Sequence, residues 1–245
     1  MRVDAFAIRL RRRAKMEATD LGVRLCQHAA RSVFPCYWAV AIPLVVLTLA
    51  TFELAAWLPA LLLWWAKPWL DRSVLFALAR AAFGQTSAPR DLWHAQRSVW
   101  WRQFLLTWTW RRLSPWRSLT QPVYQLEGLS GWKIRKRVVQ IGAGYSNTGL
   151  LLTTAFGLAE LALCCSLLSL LLWFAPGEQQ FDWTGLFRAE DSGRVVMFGY
   201  SVAYALVILL LEPFYVAAGF TLYLNRRVEL EAWDVEQELR RAFAR

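Results

Sequence analysis

Residues 195–227, VVMFGYSVAYALVILLLEPFYVAAGFTLYLNRR, decide the fold: 17 uncharged residues, a single glutamate, Glu212, then 13 more uncharged residues stopped by Arg226 and Arg227. About 20 apolar residues are enough to cross the hydrocarbon core of a bilayer. The same pattern recurs upstream. Residues 138–159 give 22 uncharged positions and 161–177 another 17, with only Glu160 between them. Residues 32–52 give 21 and 54–66 give 13, with only Glu53 between them. The second and third of these regions each predict one spanning helix, over 147–174 and 195–224. The first is short for two ideal spans and predicts a tight hairpin of helices at 34–51 and 54–70. Its competitor, one long tilted helix, is disfavoured by Pro43 and Pro59.

The fold expected is therefore all-α: a polytopic membrane protein with four transmembrane helices and amphipathic interfacial helices. Its organisation is a basic amphipathic helix (1–33), a first transmembrane hairpin (34–70) and a basic Trp-rich segment (71–146). A second helix pair (147–225) with an outer loop (175–194) and a charged C-terminal helix (226–245) complete it. Whether 34–70 crosses twice or forms a re-entrant hairpin is open at this level.

Composition agrees. The chain has 245 residues, 57% hydrophobic, with 15 Trp and a formal net charge of +10. Such apolar content excludes intrinsic disorder and exceeds that of an ordinary soluble domain. A mean hydropathy of only +0.29 places much of the chain outside lipid. The charge is unevenly placed: residues 1–31 carry +5, residues 67–137 carry +10, and the loop 175–194 carries −2. Basic segments stay on the cytoplasmic side. This predicts a bacterial inner (cytoplasmic) membrane protein with both termini inside, a parity that four crossings satisfy. The basic N-terminal region is too long for a signal peptide, so the first apolar run reads as a retained anchor. Cys26, Cys36, Cys164 and Cys165 lack C-x-x-C spacing and are expected as reduced thiols.

Two basic segments carry the surface chemistry. Ala5–Arg31 reads as a helix on the spacing of Leu10, Ala14, Ala18, Leu21 and Leu25, with Arg9, Arg11, Arg12, Arg13 and Lys15 crowding its first half. A basic amphipathic helix leading into a span suits an anionic inner leaflet. In 91–112, Trp93, Trp100, Phe104 and Trp108 fall at spacings of 7, 4 and 4, one helical face. Trp101, Arg97, Arg102, Arg111 and Arg112 surround it. Tryptophan prefers the headgroup level, and arginine pairs bidentately with phosphate. Pro115, Pro122 and Gly128-Leu-Ser-Gly131 are expected to break the helix thereafter. The segment reads as a subdomain lying on anionic lipid, or as a specific lipid or partner groove. Basic residues with aromatics also fit single-stranded nucleic acid, but placement between two spans argues against nucleic acid.

Glu160 and Glu212 are the charges deep in the long apolar regions. Glu160 lies 13 positions past Asn147 and Glu212 14 positions before Arg226, so both sit about 20 Å from one boundary. Acids at that depth face the bundle interior, paired or protonated. They read either as a proton or cation site or as a structural register, with Tyr200, Tyr204, Ser201, Thr153 and Thr154 as candidate partners. Pro213 frees the carbonyl of Ile208 or Leu209 for another donor. Small-residue steps, Ala155 with Ala159 and Ser201 with Ala205, suit close helix packing.

Enzymatic chemistry has no motif here. With only His28 and His94 no H-E-x-x-H zinc site exists, Gly142-Ala-Gly144 is no dinucleotide fingerprint, and P-loop and G-x-S-x-G motifs are missing. No catalytic residue, cofactor or metal is expected.

Several blocks carry a resemblance: Ala18–Leu25, Lys67-Pro-Trp-Leu-Asp71-Arg72, Leu106–Pro115, Pro122–Gly128, and above all Glu212-Pro213-Phe-Tyr215 and Leu222–Asp234. Together they resemble a group of uncharacterised proteobacterial four-pass inner-membrane proteins. The last helix is similar to that of YciC-like proteins and of the membrane domain beside glycerophosphodiester phosphodiesterases. The resemblance implies a part in a membrane assembly with other membrane proteins, in a MoxR-type ATPase system. A homo-oligomer is compatible with it. In the last block the charged helix after Arg227, with Glu229, Glu231, Asp234, Glu236 and Glu238, has the sign to cover the basic 67–137 segment. A solvated helix with local ion pairs is the alternative. The function expected is a non-enzymatic subunit or scaffold touching anionic lipid and partners; the alternative is a small channel or proton-coupled transporter using Glu160 and Glu212.

Overall fold

A computed structural model describes residues 11–101, 104–109, 114–173 and 190–231. Among these, every regular element is helical: α1 (Lys15–His28), α2 (Ala30–Ala50), α3 (Leu58–Ala82), α4 (Pro89–His94), α5 (Phe104–Trp108), α6 (Arg117–Leu126), α7 (Trp132–Gly142), α8 (Ser146–Trp173) and α9 (Glu190–Glu231). Three stretches are long and apolar enough to cross a membrane: Ala30–Glu53, Ser146–Leu170 and Arg194–Glu231. The candidate outer loop, the C-terminal residues Asp234, Glu236 and Glu238, and Arg102, Arg111 and Arg112 lie wholly or largely outside the described residues.

The first apolar region is a hairpin, turned by a 3-10 turn at Thr51–Glu53. Its second helix does not end at residue 70. α3 runs 25 residues to Ala82, so the expected boundary between 70 and 71 cuts a continuous helix. Lys67, Asp71 and Arg72 end the apolar run in the sequence, but all three are buried and partnered, so their charges do not end the helix. Pro59 sits in the first turn of α3, where its missing N–H costs nothing. The turn is held against the start of α9 by Arg194 to Glu53 at 3.3 Å and by Phe52 edge-on to Phe198. We call this the hairpin end of the bundle and the opposite end, with α1, α4 and α7, the basic end.

α9 is the spine. It touches α1, α2, α3, α6, α7 and α8. Pro213 lies inside it without breaking it, and the freed carbonyls are taken as the sequence suggests: Tyr37 Oη donates to Ile208 O at 3.1 Å and Trp38 Nε1 to Leu209 O at 3.0 Å.

Close approaches to α9 depend on missing side chains. A Cβ at Gly22 would collide with the Ala217 carbonyl and the Thr221 hydroxyl, and one at Gly219 with the Ser118 backbone. These glycines, rather than the small-residue step at Ala155, which is exposed, set the tight contacts.

At the N-terminus the expected helix from residue 5 is corrected within the described part: residues 11–14 are not helical and α1 begins at Lys15. The reason is a backbone clamp. Asn225 accepts from Arg13 N and donates to Arg13 O, both at 3.0 Å, holding the chain extended against α9. α1 then buries Ala18, Gly22, Leu25 and Cys26 on α9 instead of laying its apolar stripe on lipid. Burial pushes the Cys26 thiol up to about 12.

The Trp-rich segment is not one helix either. α4 ends at His94, a π turn spans Arg97–Trp101, and α5 is separate. A π turn holds more residues than an α turn, and this one directs Trp100 inward while Trp101 stays exposed. Pro122, expected as a breaker, lies inside α6, which is buried at every residue from Arg117 to Val123. Gln121 and Gln125 of α6 donate to the carbonyls of Pro68 and Arg72, at 3.1 and 2.9 Å, tying α6 alongside α3 in the same direction.

Gly219→Val should lower the melting temperature in detergent by the equivalent of about 1–3 kcal/mol of overpacking. Gly157→Ala, which meets nothing within 4 Å, should leave it unchanged; equal effects of the two would contradict the packing described. Alkylation near pH 8 should spare Cys26, whose thiol is neutral there, as peptide mass spectrometry would read.

Candidate functional site: a buried charge cluster

A lone carboxylate far from water is costly, and removing that cost requires a cation at the same depth. Lys67 on α3 supplies it. Its Nζ lies 2.8 Å from Glu212 Oε2 and also pairs with Glu160 Oε1. One ammonium shared by two acids places Glu160 and Glu212 at one level of the bundle. Arg117, at the first turn of α6, adds the second cation, with Nη2 at 2.8 Å from Glu212 Oε1 and Nε at 2.9 Å from Asp71 Oδ2. Its guanidinium lies 5.3 Å from the centre of the Tyr215 ring. Asp71 sits one turn beyond Lys67, so α3 presents a cation and an acid on one face. Five charged side chains from four helices therefore meet in one place. When all are ionised their formal sum is −1.

Of the partners expected from the sequence, Ser201, Thr154 and Thr153 bond elsewhere. Ser201 donates to Met197 O and Thr154 to Leu150 O, each within its own helix. Thr153 donates to Pro115 O at 2.6 Å and pairs with the Tyr215 hydroxyl at 3.0 Å, so it anchors the entry into α6. The bundle has stronger partners available, because ionic hydrogen bonds exceed neutral ones.

Three members, Lys67, Asp71 and Arg117, were counted in the basic 67–137 segment and missed as site residues. Two signals mark them. Lys67 ends an apolar run, one turn before Asp71. Arg117 is the only charge in 113–126, LSPWRSLTQPVYQL, a stretch otherwise made of apolar and uncharged polar residues.

A cavity of about 290 Å³ lies beside the cluster, lined by Trp64, Lys67, Arg117, Thr153, Glu160 and Tyr215 among others. Glu160 is 17% exposed there whereas Glu212 is fully buried.

A second network binds the basic end. Arg137 of α7 pairs with Glu127 at 2.8 Å and with Glu231, and Arg227 pairs with Glu231 at 2.7 Å. Burial works against the charge on Arg137, but Glu127 and Glu231 outweigh it and raise its pKa. Tyr223 donates to Glu127, Tyr145 donates to Glu229, and Asn225 donates to Tyr145. Burial, then the bond to Glu229, pushes the Tyr145 phenol above its ordinary range. Gly144, with φ +77, makes the turn that delivers Tyr145 to this network. Of the described acids after Arg227, Glu231 thus reaches Arg137 of the basic segment, while Glu229 pairs with Arg226 of its own helix.

The surface residues expected to meet lipid divide. Trp93, Arg97, Trp101 and Trp108 are exposed. Trp100 is not: it is buried between Trp69 and Trp93 and donates to Ser73 Oγ at 3.0 Å. Arg11 and Arg12 are exposed, yet Arg11 pairs with Glu17 at 2.5 Å, and Arg13, half-buried, approaches the same acid at 3.5 Å. Among the described residues no group of His, Cys, Asp or Glu could hold a metal ion. No family model, curated protein or solved structure matches the chain.

Removing one partner from a buried ion cluster leaves an uncompensated charge, at about 3–5 kcal/mol. Lys67→Met should therefore lower the melting temperature sharply, and adding Glu160→Gln should restore part of the loss. Arg117→Lys should not substitute, since an ammonium lacks the fork that reaches two carboxylates. Equal stability of Lys67→Met and wild type would remove the cluster as a structural element.

Proposed function

We propose that this is a four-pass bacterial inner-membrane protein, α3 being the fourth crossing, with both termini inside. It acts as a non-enzymatic subunit or scaffold of an envelope assembly and meets anionic lipid and partner proteins through its basic end. The observation that carries this reading is the outer face of α7. Ile134 and Ile141 are buried while Trp132, Lys133, Arg135 and Lys136 are exposed, and the Arg135 guanidinium lies 5.5 Å from the Trp132 ring centre. An indole beside cations that have no acidic partner among the described residues suits phosphate-bearing lipid at headgroup depth. Exposed Trp93 and Arg97 extend the same chemistry to α4 and the π turn. The MoxR-type system implied by the sequence resemblance is the partner class this surface would serve.

A second reading has its own support. The buried cluster carries a formal −1 and one acid, Glu160, reaches a cavity. A buried site with one negative charge in excess takes up a proton or a monovalent cation, the requirement of a proton-coupled transporter or channel.

Neutralising Lys133, Arg135 and Lys136 together with Trp132→Ala should weaken retention of anionic phospholipid by about two orders of magnitude, at about 1 kcal/mol per basic residue. Native mass spectrometry from mixed nanodiscs reads this directly, and unchanged retention would count against the lipid surface. For the second reading, purified protein in liposomes should pass protons down an imposed gradient and stop doing so with Glu160→Gln. Flux that survives the substitution would dismiss Glu160 as the carrier.

A further inference from the structure

The charge cluster has unlike surroundings on its two sides along the bundle. Toward the hairpin end, each helix that contributes to the Lys67 pairing places a buried apolar or weakly polar residue one turn away. These are Leu63 on α3, Cys164 on α8 and Ile208 on α9. They belong to one cluster with Val45, Tyr204 and Val207. This layer closes the cluster on that side.

Toward the basic end the packing is interrupted instead. Trp64, Pro68, Arg72, Phe76 and Arg80 recur every fourth residue and form one ridge that winds about 160° around α3. Each lines one of three cavities. The first, beside Lys67 and Glu160, begins at Trp64. The second, about 30 Å³, is lined by Pro68, Arg72, Thr107, Gln121 and Gln125 and shares Ser114 and Arg117 with the first. The third, about 240 Å³, is lined by Phe76, Arg80 and Ser98 and shares Gln125 with the second. From Trp64 to Arg80 is about 24 Å of helix.

The narrow middle cavity exceeds the 10–15 Å³ or so that one water needs, and its walls supply hydroxyl, amide and guanidinium groups. Gln125 stands at the junction of the second and third cavities, and its buried Oε1 has no hydrogen-bond partner among the described protein groups. That oxygen is an acceptor for water. Arg117 and Ser114 stand at the other junction.

We propose that these cavities form a hydrated seam along α3 through which protons reach Glu160 from the basic end and not from the hairpin end. This rests on the second reading above, that the cluster exchanges a proton, and adds the route and its direction. In the step itself a hydronium in the first cavity gives its proton to the Glu160 carboxylate and becomes water. The cluster goes from −1 to zero, and Lys67 keeps its proton and its bond to Glu212. The groups whose charges act on Glu160 are Glu212 on α9, Lys67 on α3 and Arg117 on α6. Cys164 on its own helix, Tyr200 on α9 and Tyr37 on α2 feel its charge in turn. Asp71 on α3 pairs with Arg117 and lies within hydrogen-bond reach of Glu212, Tyr204 on α9 acts on Lys67, and Tyr215 on α9 faces Arg117.

The test is infrared spectroscopy of the full chain in nanodiscs after a rapid pH jump. A carboxylic-acid C=O band that titrates with pH at fixed sodium, is lost in Glu160→Gln and persists in Glu53→Gln, whose exposed acid lies outside the cluster, locates the proton. Gln125→Met and Thr107→Val, each removing a polar wall group that would hold water at nearly constant side-chain size, should slow the appearance of that band by at least about tenfold. Ile208→Phe, on the closed side, should leave the rate unchanged. Thermal melts establish that each variant is folded, and two independent seam variants guard against the failure of either. If the band titrates but neither seam variant slows it, or Ile208→Phe slows it as much, the route is wrong while the proton site stands. If no carboxyl band titrates, or it moves with sodium at fixed pH, the proton reading fails and the seam with it.

Discussion

One ammonium group organises this bundle. Lys67 is shared by Glu160 and Glu212, so α3, α8 and α9 must place three residues at one height, and their register along the bundle follows. Arg117 then draws α6 into the same level by bonding Glu212 and Asp71. Apolar packing alone sets register weakly in a membrane, because lipid tails solvate leucine as well as another helix does. Paired charges in the interior do not tolerate a slip of one turn. The cluster therefore supplies specificity that hydrophobic contact cannot.

The dependence runs outward from there. α6 can reach Glu212 only because Gly219 lets its backbone approach α9, and only because Thr153 takes the Pro115 carbonyl where the chain enters. Its glutamines then bind the carbonyls of Pro68 and Arg72, which keeps a polar helix satisfied where no water is guaranteed. At the far end of α9, Asn225 clamps Arg13, and Glu231 with Arg137 fastens α7. The block Tyr223–Glu231 is thus dense in charge because it is the junction of three elements.

How far this was legible in the sequence depends on the kind of signal. Uncharged length is additive along the chain, so the helix expected over 147–174 was read to within a residue at each end, whereas α9 extends five residues before and seven beyond 195–224. Glu160 and Glu212 stood out for the same reason, since each is alone in an apolar run. What could not be read by counting was charge that is cancelled in space. Lys67, Asp71 and Arg117 looked like surface because the residues that neutralise them lie about 45 to 145 positions away. That one error placed the end of α3 at residue 70 instead of Ala82 and assigned a penetrating helix, α6, to the surface layer. The tryptophans failed differently. Trp93, Trp100 and Trp108 share a face only if the helix is continuous, and a π turn that serves the Trp100–Ser73 bond breaks that premise.

The net charge of +10 also changes meaning once the pairs are placed. Lys67 and Arg117 belong to a buried set that is formally negative, and Arg137 and Arg227 are tied to Glu127 and Glu231, so much of the apparent basic excess is spent inside the protein. The cations left on α7 are fewer, but they are adjacent, exposed and set beside an indole. A charge that is paired fixes structure, and a charge that is unpaired at a membrane surface is available for recognition. By that division the interior of this protein is where its architecture is decided. Its outer face at α7 and the π turn is where an anionic surface or an acidic partner would be met. Glu160 lies at the boundary of the two, since it is paired with Lys67 yet open to a cavity, and it is the member of the cluster on which the proposed proton uptake would act.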